Sequence, residues 1–186
     1  MTDRRLVDQV IAAAEGRIDG LANVAGITDG FIPTAELEDE VWDRVLAVSL
    51  TAAMQLMRAV LPTMIRAESG SIVMVSSEGS LRGSAARTAY TTSKQAMNGF
   101  TLSTAFFYAP AGIRCNAVTS GAVATSIEAP FRSHHAAERI CPYLQTNMPP
   151  IATAHQPAAT IAWLLSEDSS NVTGAVHPSD GGWSAI

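Results

Sequence analysis

The stretch Gly70-Ser71-Ile72-Val73-Met74-Val75-Ser76-Ser77 decides the fold of this chain, which has 186 residues. Its uninterrupted apolar centre predicts a strand that is buried on both faces, as strands of parallel sheets are. Catalytic groups of open parallel sheets lie at the carboxyl ends of strands. The stretch therefore predicts that Ser77 lies at the functional edge of a parallel α/β sheet.

Two further side chains with chemical potential follow on a helix that is predicted from Arg87 to about Tyr108. Tyr90 and Lys94 are spaced i and i+4, so a helix places them on one face about one turn apart. An ammonium beside a phenol favours the phenolate, and we therefore expect Lys94 to lower the pKa of Tyr90 from about 10 toward the working pH. Together with the Ser77 hydroxyl, this pair suits the proton transfer in a carbonyl/alcohol interconversion.

These residues resemble two motifs of a known family. Val75-Ser76-Ser77, followed by Ala89-Tyr90-Thr91-Thr92-Ser93-Lys94, is similar to the strand-serine and Tyr-x-x-x-Lys motifs of the short-chain dehydrogenase/reductases. The resemblance implies a Rossmann-like, doubly wound parallel sheet and an NAD(P)-dependent interconversion of a carbonyl and a secondary alcohol. It implies that Tyr90 is the general acid/base, that Lys94 modulates its pKa and anchors the ribose, and that Ser77 binds the substrate oxygen. Tyr90 and Lys94 would then also contact the cofactor.

Two other segments resemble cofactor-binding elements of the same family. Residues 20–26, Gly-Leu-Ala-Asn-Val-Ala-Gly, predict a strand and a tight turn and resemble the Asn-Asn-Ala-Gly element on the adenosine side of the cofactor. Residues 119–125, Thr-Ser-Gly-Ala-Val-Ala-Thr, resemble the Pro-Gly loop against the nicotinamide, and Ser120 in place of the proline predicts a looser loop. The cofactor contacts that these resemblances imply are Asn23, Ala25, Gly26, Gly121, Val123 and Thr125, the last two meeting the carboxamide.

A long helix is predicted from Glu38 to about Met64, with an apolar stripe that packs on the sheet or on another subunit. Residues 42–50, Trp-Asp-Arg-Val-Leu-Ala-Val-Ser-Leu, match the family's pattern with one departure. Ser49 stands where the family has a catalytic asparagine, which kinks the helix and holds a water of a proton relay. Because a hydroxyl offers fewer hydrogen-bonding groups than an amide, the resemblance implies a weakened relay through Ser49.

The remaining elements are predicted from periodicity and turn residues. They are a helix from Leu6 to Ala14 that is capped by Thr2 or Asp3 and stopped by Gly16, a strand from Gly112 to Val118, a helix that begins near Pro157, and a last strand from Asn171 to Val176. The least regular segment is 126–154, which corresponds to the family's substrate-binding lid. Its His134, His135 and Cys141 lack the spacing of a metal site, so no metal is predicted.

Charge, hydropathy and cysteine content limit the classes of function. The chain has 12 Lys and Arg against 17 Asp and Glu, a net charge of −5, and scattered basic residues, so nucleic acid is not an expected partner. No uninterrupted run of about 18 apolar residues occurs, and no membrane association is expected. Cys115 is expected to be a small buried hydrophobe, and the absence of a disulfide or metal pattern with Cys141 favours a reducing cytoplasm.

The glycine-rich phosphate turn of dinucleotide folds, Gly-x-x-x-Gly-x-Gly, does not occur in this sequence. We therefore expect one partial Rossmann-type domain over residues 1–186, which lacks the first βαβα units and retains about four strands. Such a chain would bind NAD or NADP weakly and would expose the strand at Leu21 as an apolar sheet edge. A homo-oligomer, a dimer or a tetramer, would cover part of that edge. A truncated gene product, an internal start codon or a deliberately shortened chain would each explain the missing units.

Two other functions stay open from the sequence. The chain could be a cofactor-deficient homologue without catalysis, either a gene fragment or a subunit partner of an intact relative that docks through helices 38–64 and 87–108. It could also be a non-redox enzyme that uses Ser77, Tyr90 and Lys94 for an isomerisation or a dehydration. In either enzymatic case the substrate is a small molecule whose identity the sequence does not specify.

Overall fold

A four-stranded parallel sheet forms the centre of the protein, in a computed structural model that describes residues 4–14, 16–83, 87–127 and 129–185. The strands are β1 (Gly20–Asn23), β2 (Gly70–Ser77), β3 (Ile113–Ser120) and β4 (Val176–Ser179), and they lie side by side in chain order. All pairings between neighbours are parallel. The predicted α/β fold with a Rossmann-like parallel sheet is confirmed, and β1 lies at an edge of the described sheet, as expected.

Six α-helices connect and cover these strands in the part of the chain that the structure describes. They are α1 (Arg4–Ala13), α2 (Asp39–Leu46), α3 (Ala52–Ala67), α4 (Thr88–Tyr108), α5 (His134–Asn147) and α6 (His155–Leu165). The helices predicted at 38–64 and 87–108 are confirmed, and the first consists of α2 and α3 joined by a π-helical turn, Ala47–Thr51. The proposed caps of α1, Thr2 and Asp3, lie outside the described residues.

Helices pack on both faces of the sheet and give three layers. In β2, Ile72 and Met74 point to one face and pack in a cluster with Met57 of α3. The intervening Val73 points to the other face and packs against Leu164 of α6. Burying each of these side chains contributes roughly 1.5–3 kcal/mol, so the prediction that this strand is buried on both faces is confirmed and explains its stability.

The segment 126–154 is more regular than the sequence predicts. It contains α5, a helix of 14 residues that begins after Ser133, whose side chain accepts a hydrogen bond from the backbone N–H of Ala136 at 3.1 Å. The buried Ile140 of this helix packs with Phe31, which follows β1. Pro142 lies within this helix, where proline ordinarily disfavours helical structure, and the packing of Ile140 on Phe31 offsets that preference.

The last strand lies later in the chain than predicted. Instead of Asn171–Val176, β4 covers Val176–Ser179 and includes Pro178. The side chain of Asn116 explains the shift, because its amide donates to the Val172 carbonyl at 2.8 Å and accepts from the Ala175 N–H at 3.0 Å. Because of these bonds, most of the predicted segment forms the connection that leads into β4. The strand tolerates Pro178 because β4 lies at an edge of the described sheet.

One continuous helical segment in the described part of the chain, Asp39–Ala67, is long and apolar enough to cross a membrane by length and composition. Charged residues such as Arg44 and Arg58 interrupt the segment, so it contains no uninterrupted apolar run of spanning length. Much of its apolar character serves the protein core, because Met57, Val60 and Met64 are 0–2% exposed. Among the described residues, no group of three or more His, Cys, Asp or Glu side chains is arranged to hold a metal ion.

Candidate active site

The carboxyl end of β2 and the first turns of α4 bring together three of the predicted catalytic residues. Ser77 is the last residue of β2, and Tyr90 and Lys94 lie on the buried face of α4, where they are 9% and 3% exposed. The Ser77 hydroxyl, which accepts from the backbone N–H of Gly79 at 3.2 Å, lies near enough to the Tyr90 phenol to lower its pKa. The i, i+4 spacing on a helix thus places both side chains beside the serine, as the sequence predicts.

The pKa of Tyr90 differs from the prediction. Burial raises it above the ordinary value of 10.0, and the hydrogen bond from Ser77 and the charge of Arg87 offset this effect only in part. Lys94 lies 5.6 Å from the centre of the Tyr90 ring, and its ammonium donates to the Val75 carbonyl at 2.8 Å. The prediction that Lys94 lowers the pKa of Tyr90 is therefore wrong for this structure, because desolvation of the phenolate dominates.

Burial also perturbs Lys94 itself, and lowers its pKa from 10.5 to about 8. The charged amine loses hydration in the interior, and the Val75 carbonyl replaces only part of it. Lys94 consequently changes protonation state close to physiological pH. It can hold or release a proton at Nζ under conditions in which an exposed lysine stays charged.

Replacing Lys94 by methionine is expected to raise the free energy of unfolding at pH 7 by on the order of 2 kcal/mol. The folded-state pKa of about 8 lies below the unfolded value of about 10.5, so the unfolded chain binds more protons between these pH values. Wild-type stability therefore rises with pH through that window, and below it the cost of burying the charge is complete. Urea unfolding of both proteins at pH 7 and pH 10 measures the effect.

The control for this experiment is Arg66→Met, which removes an exposed cation from α3 and should change stability little at either pH. The stabilisation of Lys94→Met should shrink at pH 10, because the wild-type amine is then neutral in the folded state. A variant that is equally stabilised at both pH values, or that is destabilised at pH 7, would contradict the assignment of a buried, titrating amine.

Ser49, the predicted relay residue, lies in the π-helical turn and is completely buried. Its hydroxyl accepts from the backbone N–H of Ile27 at 3.1 Å and donates to the Ile27 carbonyl at 3.3 Å. A Cβ added at Gly26 would lie 3.3 Å from Lys94 Nζ and 3.6 Å from Ser49 Oγ, so both side chains border the same glycine. The single donor of Ser49 is used by Ile27, and its relay role stays a prediction.

The residues predicted to bind the cofactor divide into two groups. Asn23 is buried and directs its amide to the Met74 sulfur at 3.2 Å, Ala25 is exposed, and Gly26 borders the Lys94 ammonium. Beyond β3, a Cβ on Gly121 would lie 2.9 Å from Asp180 Cα, Val123 forms a bridge with Ala152, and Thr125 is exposed. Asn23 ends β1 and the other five residues follow β1 or β3, the two parallel strands that flank β2, so all lie along one edge of the sheet.

The loop at Ser120 is held more firmly than a missing proline suggests. Ser120 itself is the last residue of β3 and pairs with Ser77 and Ser179. Further along, the N–H of Ala124 donates to the Ala152 carbonyl at 2.9 Å, and the Ala152 N–H donates to the Ala122 carbonyl at 2.9 Å. These backbone bonds connect the loop to the segment after α5, and no such pairing could be read from local sequence.

The sequence motifs do not identify Asp29, a buried residue that caps the start of α4, the helix that carries Tyr90 and Lys94. Its carboxylate is 2% exposed and accepts from the backbone N–H of Tyr90 at 3.0 Å and from that of Phe31 at 3.1 Å. The first bond satisfies one of the free N–H groups at the start of α4 and favours a carboxylate there through the helix dipole. The only sequence signal was the turn-forming Asp29-Gly30 pair.

A buried group of charges beside Tyr90 was also missed. Glu78 and Arg82 form a salt bridge of 2.9 Å with side chains that are 6% and 14% exposed. The Arg87 guanidinium lies 4.0 Å from the centre of the Phe31 ring and 5.1 Å from that of Tyr90. Burial is the largest influence on the pKa values of Glu78 and Arg87, raising the first and lowering the second. Arg87 thus supplies positive charge next to the phenol.

Comparison with known proteins identifies the family. A family model described as enoyl-(acyl carrier protein) reductase matches residues 2–184. A short-chain dehydrogenase/reductase of Talaromyces verruculosus is 40% identical over 194 residues, which cover 100% of this chain and 76% of that protein. The chain therefore belongs to the short-chain dehydrogenase/reductase family, and the resemblance drawn from its motifs is confirmed.

Individual relatives show how much of the family fold is present. The asnovolin H dehydrogenase of Aspergillus novofumigatus is 39% identical over 199 residues, 100% of this chain and 76% of that protein. Levodione reductase superposes with a TM-score of 0.87 at 32% identity over 100% of this chain and 75% of its own. ElxO with NADP bound superposes with a TM-score of 0.83 at 26% identity over 100% and 76%. The chain spans about three quarters of these relatives and is an oxidoreductase by family.

Proposed function

We propose that this protein is an NAD- or NADP-dependent oxidoreductase that interconverts a small-molecule carbonyl compound and a secondary alcohol. The observation that carries the proposal is that the Ser77 hydroxyl and the buried Tyr90 phenol lie together at the carboxyl end of β2, with Lys94 one turn along α4. The NADP bound to the structural neighbour ElxO and the reductase and dehydrogenase names of other relatives support it.

Each of the three side chains has a role that follows from its protonation state. In carbonyl reduction the Tyr90 phenol, which is neutral at pH 7, donates its proton to the substrate oxygen, and in alcohol oxidation the phenolate accepts it. The Ser77 hydroxyl donates a hydrogen bond to the same oxygen and holds it beside the phenol. Lys94 Nζ, whose pKa is about 8, can return a proton toward Tyr90. The nicotinamide, when bound, supplies or accepts the hydride.

Two observations support a nicotinamide cofactor next to Lys94. Because Gly26 has no side chain, the space beside the Lys94 ammonium is open, and a Cβ at this position would occupy part of it. The hydroxyl of Thr119, near the carboxyl end of β3, is buried and has no hydrogen-bond partner among the described residues. Both lie at the edge of the sheet where dinucleotides bind in open α/β folds. We therefore propose Asn23, Ala25, Gly26, Gly121, Val123 and Thr125, with Tyr90 and Lys94, as cofactor contacts.

We further propose that the enzyme acts in the cytoplasm as a homo-oligomer, a dimer or a tetramer. The exposed apolar side chains at the end of α4 support an interface there, since Phe106 and Phe107 are 77% and 68% exposed. Large aromatic side chains with this exposure on one helix are typical of surfaces that bury against another chain. The oligomeric mass, measured by light scattering, accompanies the binding experiment.

Calorimetric titration of the 186-residue chain with NADH and with NADPH tests the proposal. We expect at least one of the two to bind, and we expect Gly26→Ala to weaken binding by about tenfold, because the added methyl group contacts Lys94 Nζ. Gly99→Ala on the exposed face of α4 is the matched control, since a Cβ there meets nothing within 4 Å. Absence of binding to either nucleotide would contradict the proposal and favour a non-catalytic homologue.

A further inference from the structure

A cavity of about 390 Å³ lies between the start of α4 and α5, on the surface next to Arg87. Its lining includes two arginines and several hydroxyl groups: Arg87, Arg139, Thr88, Thr91 and Thr92, with His135. No carboxylate is found among the described residues that line it. The cavity thus combines two cationic side chains and several hydroxyl groups with largely apolar walls, in a chain whose net charge is −5.

Two buried polar atoms of this lining have no hydrogen-bond partner in the described structure, Arg87 Nε and Thr91 Oγ1. A buried donor without an acceptor costs free energy, and native proteins contain few of them. Both atoms belong to residues that line the same cavity. An acceptor that reached these two atoms from the cavity would satisfy them.

The carboxylates near Arg87 are committed to other groups. Asp29 accepts from the backbone N–H groups of Phe31 and Tyr90, and Glu78 pairs with Arg82. Among the described residues no ion pair involves Arg87, whose guanidinium is stacked at 4.0 Å on the Phe31 ring. Burial lowers the pKa of this guanidinium, a cost that a bound anion would offset. The guanidinium therefore retains its capacity to bind an acceptor from outside the chain.

We propose that this cavity binds an oxyanion group of the substrate, a carboxylate or a phosphate, with Arg87 as the buried cation and Arg139 as the cation at the rim. The inference rests on the proposed function, because Arg87 both lines the cavity and places its guanidinium carbon 5.1 Å from the ring centre of Tyr90, the proposed proton donor. A guanidinium binds both kinds of oxyanion through paired N–H donors. The substrate is accordingly an oxo or hydroxy compound that carries an acidic group.

The direct test is calorimetric titration with inorganic phosphate and, separately, with acetate, at low ionic strength and without nicotinamide nucleotide. We expect a dissociation constant in the millimolar range for at least one ion. Arg139→Gln is expected to weaken binding by about tenfold, and Thr91→Val is expected to weaken it as well. Arg58→Gln, which removes an exposed arginine of α3 outside the cavity, should leave binding unchanged. Stronger binding of phosphate supports a phosphorylated substrate, and stronger binding of acetate supports a carboxylic acid.

Failure of this inference is distinguishable from failure of the proposed function, since ion binding requires neither hydride transfer nor nucleotide. No heat from either ion would overturn the inference, as would equal affinities for the Arg139→Gln and Arg58→Gln variants. Repeating the titration with saturating NADPH separates the cavity from the proposed nucleotide site. Loss of ion binding under that condition would assign the ion to the nucleotide site and would also overturn the inference.

Discussion

Replacing Tyr90 by phenylalanine is expected to lower kcat for the proposed carbonyl reduction by about a thousandfold, because the phenol is its proton donor. The ring that packs with Val45 and Ala89 is retained, and only the hydroxyl near Ser77 is lost. Folding should therefore change little, and nucleotide affinity should fall far less than kcat because the other proposed cofactor contacts remain. Steady-state kinetics with the first active carbonyl substrate, together with calorimetric nucleotide binding, separates the loss of chemistry from a loss of binding.

The pH dependence of the wild-type enzyme provides a second readout of the same residue. Burial raises the pKa of Tyr90 above 10.0, so the phenol is neutral at physiological pH. Carbonyl reduction consumes its proton and should change little between about pH 6 and 8, whereas alcohol oxidation requires the phenolate and should accelerate as the pH rises. Tyr108→Phe is the matched control, because Tyr108 packs against the core cluster at the end of α4 and should affect neither rate.

Retention of more than about a tenth of the reductase activity in Tyr90→Phe would contradict the assigned role, since removal of a general acid costs at least about a hundredfold. An equal loss of activity in Tyr108→Phe and Tyr90→Phe would also contradict the role assigned to Tyr90. If Tyr90→Phe loses nucleotide binding together with activity, the hydroxyl serves cofactor binding rather than proton transfer. Kinetics alone would not distinguish these two roles, so nucleotide binding has to be measured as well.

Gly112→Ala is expected to destabilise the fold by about 3 kcal/mol or more, whereas Gly99→Ala should stabilise it by about 0.5–1 kcal/mol. Gly112 connects α4 to β3 with a φ of +72°, a left-handed conformation that alanine adopts only with strain. A Cβ at this position would also overlap the Glu68 carbonyl oxygen and lie 3.0 Å from its carbon. Because the obstacle is backbone, the loop before β2 has to move.

The two glycines make a matched pair, since the same methyl group is added at two exposed positions and the expected changes in the free energy of unfolding have opposite signs. Gly99 lies within α4, where a Cβ meets nothing within 4 Å and removal of glycine reduces the entropy of the unfolded chain. Urea unfolding of both variants measures the difference. A Gly112→Ala protein as stable as the wild type, or a Gly99→Ala protein that is clearly destabilised, would contradict the described backbone at that position.

The sequence predicted those parts of the site that depend on local periodicity. Tyr90 and Lys94 share a face because a helix brings residues i and i+4 together, and the apolar run before Ser77 has no other stable place than the middle of a parallel sheet. Family motifs then supplied the roles. The last strand was misplaced because the side chain of Asn116 takes the place of regular strand pairing beside β3, through its bonds to Val172 and Ala175 far along the chain.

What only the tertiary structure decided are the interactions between segments that are remote in sequence. Asp29 caps α4 at Tyr90 from 61 residues away in the sequence. The Phe31 ring stacks with the Arg87 guanidinium and also packs against α5. The direction of the Tyr90 pKa also required the structure, because desolvation depends on everything that surrounds the phenol and outweighs a single lysine. Sequence alone determined the central strands, the two long helices and which side chains are candidates for the reaction, since those follow from short-range geometry and family motifs. Burial and charge at the site depend on long-range packing, which only the folded chain establishes.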